Sequence, residues 1–362
     1  MKKLIFILLI INLGCSSSSD QQFINRFVAG NTKLLNTIKN NNIRVKLTVI
    51  DSTENFIEYE YNIDTNKYFY PASTVKLPIA LFALEKLNEN KILSIDTPFM
   101  LEDDTLKTTF KNELEKVFIL SDNQSNNRFF EFIGQDYINK KFKDKGFFNS
   151  RIFHRLSTSN SSKLKGKRVD FFTNDSITSF QNNNKEPEKL KLKNIKKGKG
   201  YINSTGKMIK QEMDFSKKNY ISITDLHRIM KILFFPNKFK EEERFNLTVE
   251  QRNILINYMS GYPRDFGYSP EKFPYYFNKF FIYGDKELEL DDNIVIYNKV
   301  GLAYGQLSDV AYIKNKNVSI ILTATIDVNT NKIYNDDKYD YDSIGFPFLA
   351  EISRVIINRL SE

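Results

Sequence analysis

The stretch YFYPASTVKLPIALFALEKL, residues 68 to 87, places a serine hydroxyl and a lysine amine three residues apart, at Ser73 and Lys76. Residues three apart share one helical face, and helical side chains lean towards the N-terminus, so the amine can reach back to the hydroxyl. A lysine with its ordinary pKa of about 10.4 is almost fully protonated at neutral pH. Burial lowers that pKa, and the apolar run that follows therefore predicts a nucleophile beside a neutral base.

Ser73 also has a structural interpretation. The pattern predicts a helix over residues 74 to 88 with Ser73 as its N-cap, and serine commonly caps helices. Only this serine precedes a long apolar helix that forces its lysine inward, and that context favours a catalytic role for Ser73 over a capping role. The same spacing recurs without it at Ser162/Lys165, Ser204/Lys207 and Ser269/Lys272.

Two further tripeptides follow in the chain. Ser121-Asp122-Asn123 lies at a predicted helix boundary, and Lys299-Val300-Gly301 ends an apolar strand. Each is weak alone, because Ser and Asp often cap helices and K-x-G also occurs at residues 196–198. In this order, S-x-x-K, S-D-N and K-x-G resemble the motif set of the serine β-lactamase and penicillin-binding protein superfamily. The resemblance covers roughly residues 25 to 361 and is closest to class A β-lactamases.

The resemblance implies four catalytic residues. Ser73 would be the acylated nucleophile, with Lys76 as its proton acceptor. Ser121 would pass a proton to the leaving nitrogen of the substrate. Lys299 would attract the substrate carboxylate and help to lower the pKa of Lys76. The resemblance implies neither a metal nor another cofactor.

The resemblance also implies the substrate contacts. Asn123 would bind the substrate amide, and Gly301 would let the backbone approach the substrate closely. The NH groups of Ser73 and Leu302 would form the oxyanion hole. Val300 stands where the superfamily usually has threonine or serine, which removes a hydrogen bond to the substrate carboxylate worth about 1.5 to 3 kcal/mol.

The base for deacylation departs from the class A pattern. Class A enzymes use an omega-loop glutamate that follows an arginine-containing stretch. In SRIFHRLSTSN, Ser157 stands two places after Arg155, and no carboxylate follows before Asp170. Glu186 and Glu188 come later, where a solvated charged turn is the simpler interpretation. The sequence therefore predicts intact acylation and slow deacylation.

Hydrophobic patterning predicts the elements that position these residues. Residues 43 to 63 alternate as an antiparallel hairpin, and three more strands follow residue 292. The intervening chain reads as mostly helical. The predicted fold is α+β: an antiparallel sheet flanked by helices plus a helical lobe, with a cleft between them.

The predicted domain organisation is one catalytic domain over residues 20–362. Its α/β part covers about 20–88 and 262–362, and its helical lobe about 89–261. The formal net charge of the chain is +9. A basic insert, residues 156–218, holds fifteen Lys or Arg against six Asp or Glu and lacks periodicity, which predicts a long solvated excursion. It could also touch anionic lipid or polysaccharide.

The N-terminus MKKLIFILLIINLGCSSSSD has two lysines, a short apolar stretch and small residues around Cys15, the only cysteine of the chain. The apolar stretch is too short to span a bilayer, which indicates a secretory signal. The cysteine resembles the lipidated residue of bacterial lipoproteins, although Asn12 stands where leucine is usual. We expect residues 1–19 to be signal and tether, and the protein to be exported to the cell envelope. Export argues against a nucleic-acid partner.

Three functional hypotheses follow. The leading one is a class A β-lactamase-like serine hydrolase that forms an acyl-enzyme on Ser73 with a β-lactam or a peptidoglycan-like amide. A slow-turnover penicillin-binding protein resembling the D-Ala-D-Ala peptidases is an alternative. The third hypothesis is a non-catalytic envelope binding module, which the missing glutamate and Val300 favour.

Overall fold

A computed structural model describes residues 18–159 and 161–362. Cys15 and most of the predicted signal and tether lie outside the described residues. Within those ranges, no helix combines the length and the apolar character that a membrane span requires.

The described helices are α1 Ser18–Phe23, α2 Thr32–Asn40, α3 Lys76–Asn88, α4 Phe110–Ile119, α5 Asn123–Ile133, α6 Gln135–Asp144, α7 Ile223–Phe234, α8 Val249–Ser260 and α9 Phe346–Ser361. Short 3₁₀ or π-helical turns cover Ile24–Val28, Ala72–Val75, Pro236–Lys238, Glu241–Glu243, Pro263–Phe266, Tyr275–Asn278 and Tyr341–Gly345. The strands are β1 Arg44–Ile50, β2 Phe56–Tyr61, β3 Phe99–Leu101, β4 Val169–Phe172, β5 Ile177–Phe180, β6 Lys196–Lys197, β7 Gly200–Ile202, β8 Met208–Ile209, β9 Met213–Asp214, β10 Val295–Ala303, β11 Gln306–Lys314, β12 Ser319–Asp327 and β13 Ile333–Tyr334.

Strands from both ends of the chain form one antiparallel sheet. Its order is β10-β11-β12-β1-β2, and β1 pairs with β2 on one side and with β12 on the other. The predicted hairpin and the predicted sharing of one sheet are confirmed, and so is the α+β class. Because β10 is the edge strand, its outer edge is available to other parts of the molecule.

Helices cover both faces of this sheet. On one face, Leu47 of β1 and Leu322 of β12 are fully buried in a cluster with Phe23 of α1 and Ile352 of α9. On the other face, α7 packs against β1, β11 and β12. Central strands that are buried on both faces have nearly continuous apolar sequences, which explains the mostly apolar sequence of β12.

The helix that follows the Ser73 turn is buried on all sides, as its apolar sequence predicted. Leu77, Leu81 and Leu84 of α3 are fully buried, and α3 packs against α5 and α6. Each such side chain contributes about 1.5 to 3 kcal/mol relative to an exposed position. The helix cannot shift without losing these contacts, so the position of Lys76 in its first turn is fixed.

The basic insert is more ordered than its sequence predicted. It carries β4 to β9, of which β4 pairs with β3 and β5, and β7 pairs with β8 and with β13 near the C-terminus. Strands of two to four residues are too short to show alternation, so the pattern did not reveal them. These pairings attach the insert to one strand that precedes it, β3, and to one that follows it, β13.

Candidate active site

Ser73 lies inside the 3₁₀ turn Ala72–Val75 that leads into α3. It is therefore not the N-cap of an α-helix beginning at residue 74, which corrects the sequence expectation. Pro78 has no NH to donate to the carbonyl of Thr74, and the NH of Lys76 bonds the carbonyl of Ser73, so the turn is tighter than an α-helix. This geometry leaves the Ser73 side chain at the wall of two pockets.

Lys76 is the first residue of α3 and is fully buried. Its amine donates to the backbone carbonyl of Ser121 and lies 3.3 Å from the Ser121 Oγ. Burial lowers the pKa of Lys76 from 10.5 to about 7, against the opposing effect of the Asp122 carboxylate. A substantial fraction of the amine is therefore neutral at physiological pH, as a general base requires.

Ser121 connects α4 to α5. The neighbouring Asp122 caps α5 by accepting the NH of Ser125 at 2.7 Å, which fixes the orientation of the S-D-N segment. The Ser121 hydroxyl accepts a hydrogen bond of 2.7 Å from the amine of Lys299. One serine therefore contacts both candidate lysines.

Lys299 lies on the edge strand β10, and it is almost fully buried. Besides Ser121, its amine contacts the carbonyl of Val300 at 3.1 Å. Burial, and secondarily the positive charge of Lys76, hold the pKa of Lys299 well below its ordinary value. The resemblance implied that Lys299 lowers the pKa of Lys76; burial is the main cause here.

Gly301 allows β10 to lie directly against the Ser73 turn. A Cβ at this position would lie 2.6 Å from the carbonyl oxygen of Pro71 and 3.2 Å from the backbone nitrogen of Ser73. On either side of it, Val300 is buried and Leu302 is 40% exposed. Glycine is thus required for the close approach of two backbones.

Asn123 and Ser157 face one another across the site. The side-chain amide of Asn123 donates to the Ser157 hydroxyl at 2.9 Å. The adjacent Leu156 is held by Asn127, whose side chain exchanges hydrogen bonds of 2.8 and 2.9 Å with the Leu156 backbone. A hydroxyl, and not a carboxylate, therefore occupies this place beside Asn123.

A pocket of about 580 Å³, here called the polar pocket, opens at Ser73. Its wall includes Asn123, Ser157 and Leu302. Sequence reasoning did not identify several other residues of this wall: Lys218, Tyr304, Asp337, Tyr339 and Tyr341. Among its described residues, Asp337 supplies the one carboxylate.

Glu186 and Glu188 lie away from this pocket. Glu186 pairs with Lys217, and Glu188, whose side chain is 91% exposed, lies 3.7 Å from Arg151. Both glutamates line other surface pockets that do not include Ser73. The solvated charged turn predicted for them agrees with these positions.

Three non-glycine residues around Ser73 have left-handed backbone conformations. The φ angles of Ala72, Ser121 and Ser157 are 48°, 54° and 47°. Such conformations cost about 1 to 3 kcal/mol each and cluster at functional sites. No sequence signal marks them, because neither Ala nor Ser is typical of a left-handed position, where Gly, Asn or Asp would be expected.

A buried polar network supports β10 from behind. The side-chain amide of Asn298 donates to Asp309 at 2.9 Å, and Asp309 also accepts the NH groups of Phe280 and Phe281 at 3.2 Å. Burial raises the pKa of Asp309 to about 6. The polar residues that interrupt apolar β10 and β11 were the available signal, but their pairing depends on strand register.

The two histidines have structural partners. His227 lies between the hydroxyls of Thr48 and Thr323, at 2.7 and 2.9 Å, and the His154 Nδ1 lies 2.6 Å from the carbonyl of Arg155. Burial lowers the pKa of His154 to about 4. No three His, Cys, Asp or Glu side chains in residues 18–159 and 161–362 group as metal ligands.

The antiparallel sheet, the buried helix after Ser73 and the convergence of the three motifs place the protein in the serine β-lactamase and penicillin-binding protein superfamily. Residues 31–360 match the beta-lactamase enzyme family, and the chain belongs to that family. No curated protein matches the sequence.

Solved β-lactamases, two of them described as class A, have a similar fold. The extended-spectrum β-lactamase TLA-3 is 14% identical, with a TM-score of 0.56 over 95% of this chain and 100% of that chain. A class A β-lactamase from Mycobacterium abscessus is 13% identical, with a TM-score of 0.54 over 91% and 98%. One from Bacteroides cellulosilyticus is 13% identical, with a TM-score of 0.54 over 95% and 99%. At these identities the likeness establishes the fold.

Proposed function

We propose that the protein is a β-lactamase-like serine hydrolase that forms an acyl-enzyme on Ser73 with a β-lactam or a peptidoglycan-like amide. The observation that carries the proposal is the buried hydrogen-bonded group of Lys76, Ser121 and Lys299 beside the Ser73 turn. Stability alone does not account for two buried lysines that both contact one serine, since each loses hydration.

Each residue of this group has one role in the proposed acylation. Neutral Lys76 accepts the Ser73 proton as Ser73 Oγ attacks the substrate carbonyl. Ser121 then donates its proton to the leaving nitrogen and regains one from the Lys76 ammonium, so the group returns to its starting state. The NH groups of Ser73 and Leu302 stabilise the oxyanion, and Asn123 binds the substrate amide.

Deacylation has no comparable hydrogen-bonded group, because Asp337, the one described carboxylate of the polar pocket, is exposed and is not bonded to Lys76, Ser121 or Lys299. Ser157 occupies the place beside Asn123, and a hydroxyl hydrogen-bonded there is a poor base for a water molecule. This observation favours the slow-turnover, penicillin-binding alternative over rapid β-lactam hydrolysis. The acyl-enzyme should therefore form in a burst and decay slowly.

The proposed setting is the bacterial cell envelope. We propose that the protein is exported and anchored by a lipid on Cys15, with the serines after it as a flexible tether. Its substrate would then be met outside the cytoplasm, where both β-lactams and peptidoglycan peptides are present.

Intact-protein mass spectrometry after incubation with a labelled penicillin tests the proposal. The wild-type protein should gain one equivalent of penicillin, and peptide mapping should place the adduct on Ser73. Ser73→Ala should abolish the adduct, and Lys76→Ala should slow its formation at least a hundredfold, the usual effect of losing a general base.

Ser204→Ala is a matched control, because this serine has the same S-x-x-K spacing but is exposed. It should label like the wild type. If the folded wild-type protein forms no adduct with any β-lactam or activated ester, the non-catalytic binding module becomes the better account.

A further inference from the structure

A second pocket, here called the apolar pocket, adjoins the site. It has a volume of about 380 Å³ and shares Ser73 and Leu302 with the polar pocket. Ser121 and Val300 belong to its wall but not to the wall of the polar pocket. The nucleophile therefore stands between two pockets of different chemistry.

The remaining wall of the apolar pocket is largely aromatic. Tyr276, Phe277 and Phe280 come from the 3₁₀ turn before β10 and the residues after it, and Phe346 begins α9. The rings of Phe280 and Phe346 lie 4.8 Å apart at 74° to one another. Binding is stabilised when an apolar group of a ligand is buried against such a surface.

The charged residues of this pocket have partners within the protein. Lys286 lies 3.7 Å from Asp342 and 5.0 Å from the centre of the Tyr276 ring. The Lys299 amine behind the pocket is buried and bonded to Ser121 and to the carbonyl of Val300. No arginine is among the described residues of the wall. A substrate carboxylate would lose its hydration here, and Lys286, the one lysine of the described wall, is half exposed and shared with Asp342, so it offsets little of that loss.

Val300, next to Lys299 in the chain, also favours an apolar group over a carboxylate. Its side chain is buried and offers no hydroxyl to a carboxylate, but it contributes apolar surface beside the aromatic rings. By its residue type alone, Val300 is the loss of a hydrogen bond to a carboxylate. In the structure it is continuous with an apolar surface of several residues.

The position of Ser121 decides which part of a substrate enters this pocket. In the proposed reaction, the Ser121 hydroxyl protonates the leaving atom, and Ser121 lines the apolar pocket but not the polar one. Asn123, which would hold the acyl side, lines the polar pocket. The leaving group is therefore directed into the apolar pocket and the acyl group into the polar one.

We infer that the apolar pocket binds an uncharged aromatic or branched apolar leaving group, so that the preferred acyl donors lack a carboxylate there. The inference rests on the proposed acyl transfer to Ser73. The Ser73 Oγ forms a bond to the carbonyl carbon, and the bond from that carbon to the leaving nitrogen or oxygen breaks. The leaving atom receives the Ser121 proton, while the Ser73 proton, first accepted by Lys76, replaces it on Ser121.

A matched pair of esters tests this preference. The phenyl ester and the 3-carboxyphenyl ester of one N-acylglycine share the acyl group and differ by one carboxylate on the leaving phenol. The second-order rate constant of Ser73 acylation should be at least about tenfold higher for the phenyl ester. Equal rates, or a faster carboxylated ester, would overturn the inference and leave the proposed function intact. Acylation by neither ester would count against the proposed function itself.

Substitutions in the wall test whether the apolar pocket causes the preference for the phenyl ester. Val300→Thr should raise the rate of the carboxylated ester about tenfold, because the new hydroxyl can donate a hydrogen bond to the carboxylate. Phe277→Gln should slow the phenyl ester more than the carboxylated one. Phe148→Gln is the matched control, since this ring is 74% exposed and lies outside both pockets. A ratio that neither Val300→Thr nor Phe277→Gln changes would contradict the assignment.

Discussion

The amine of Lys299 lies 2.7 Å from the hydroxyl of Ser121, and the same hydroxyl lies 3.3 Å from the amine of Lys76. Two buried amines therefore converge on one oxygen. Two ammonium ions at this separation repel one another, and burial disfavours both. The arrangement favours the loss of a proton near neutral pH, which makes the site a proton acceptor before any substrate arrives.

The pH dependence of acylation should reflect this arrangement. Because burial lowers the pKa of Lys76 to about 7, the neutral amine is depleted below that pH and dominates above it. The acylation rate constant should fall about tenfold for each pH unit below 7 and level off above about pH 8. Stopped-flow measurement with a chromogenic cephalosporin checks the profile.

Lys76→Arg serves as the control for the pH profile, because a guanidinium stays protonated throughout this range. Its residual acylation should be slow and should lack the rise near pH 7. A wild-type profile that is flat between about pH 5 and pH 9 would exclude Lys76 as the titrating base.

The fold was predictable because the hydrophobic patterns of its main helix and strands extend over many residues. The hairpin of residues 43–63, the three late strands and the buried helix α3 each repeat one pattern over many residues. The order of the three motifs predicted one cleft, and the structure joins Lys76, Ser121 and Lys299 by hydrogen bonds and places Ser73 and Ser121 on the wall of one pocket.

Other features depend on contacts that no local pattern encodes. The 3₁₀ geometry of the Ser73 turn follows from Pro78 only once the start of the helix is known. The contact between Asn123 and Ser157 depends on the path of the chain after Arg155. The aromatic wall of the apolar pocket comes from irregular chain, where periodicity is absent.

Gly301→Ala should disturb the Ser73 turn. The added methyl group would lie 2.6 Å from the Pro71 carbonyl oxygen and 3.1 Å from Thr74 Cγ2. Overpacking of this kind costs about 1 to 3 kcal/mol, and the turn can relieve it only by moving Ser73. Urea unfolding should show the lost stability, and penicillin labelling should slow more than tenfold.

Gly206→Ala is the control for this substitution: nothing lies within 4 Å of the methyl group it would add, and the strain of an alanine at its φ of 79° lowers stability without touching either pocket at Ser73. It should label at the wild-type rate. If Gly301→Ala also labels at the wild-type rate, the close approach of β10 is not required for acylation.

Replacement of Cys15 tests the proposed anchor. If Cys15 carries the lipid, Cys15→Ser removes the thiol to which it is attached, and the protein should move from the membrane to the soluble fraction. Incorporation of labelled palmitate should disappear. Unchanged fractionation would point to a retained N-terminal segment as the anchor.

The glutamates of the basic insert should not support turnover. Glu186 is paired with Lys217, and Glu188 is exposed beside Arg151, away from Ser73. Glu186→Gln and Glu188→Gln should each leave the deacylation rate within about twofold of the wild type. A loss of tenfold or more would mean that the insert moves and brings a carboxylate to the acyl-enzyme.

Ser157→Glu should convert slow decay of the acyl-enzyme into faster turnover. Ser157 is held 2.9 Å from the Asn123 amide and lines the pocket at Ser73, so a longer acidic side chain would extend towards the ester. A carboxylate can accept a proton from a water molecule there, a contribution of about 10² to 10⁴ in rate where it is well placed. We expect at least a tenfold rise in deacylation, measured as loss of the adduct mass with time. Ser157→Gln has the same length without the base and should decay at the wild-type rate. If both variants decay equally fast, the added side chain acts by altering the loop, and the absence of a carboxylate at residue 157 does not explain slow deacylation.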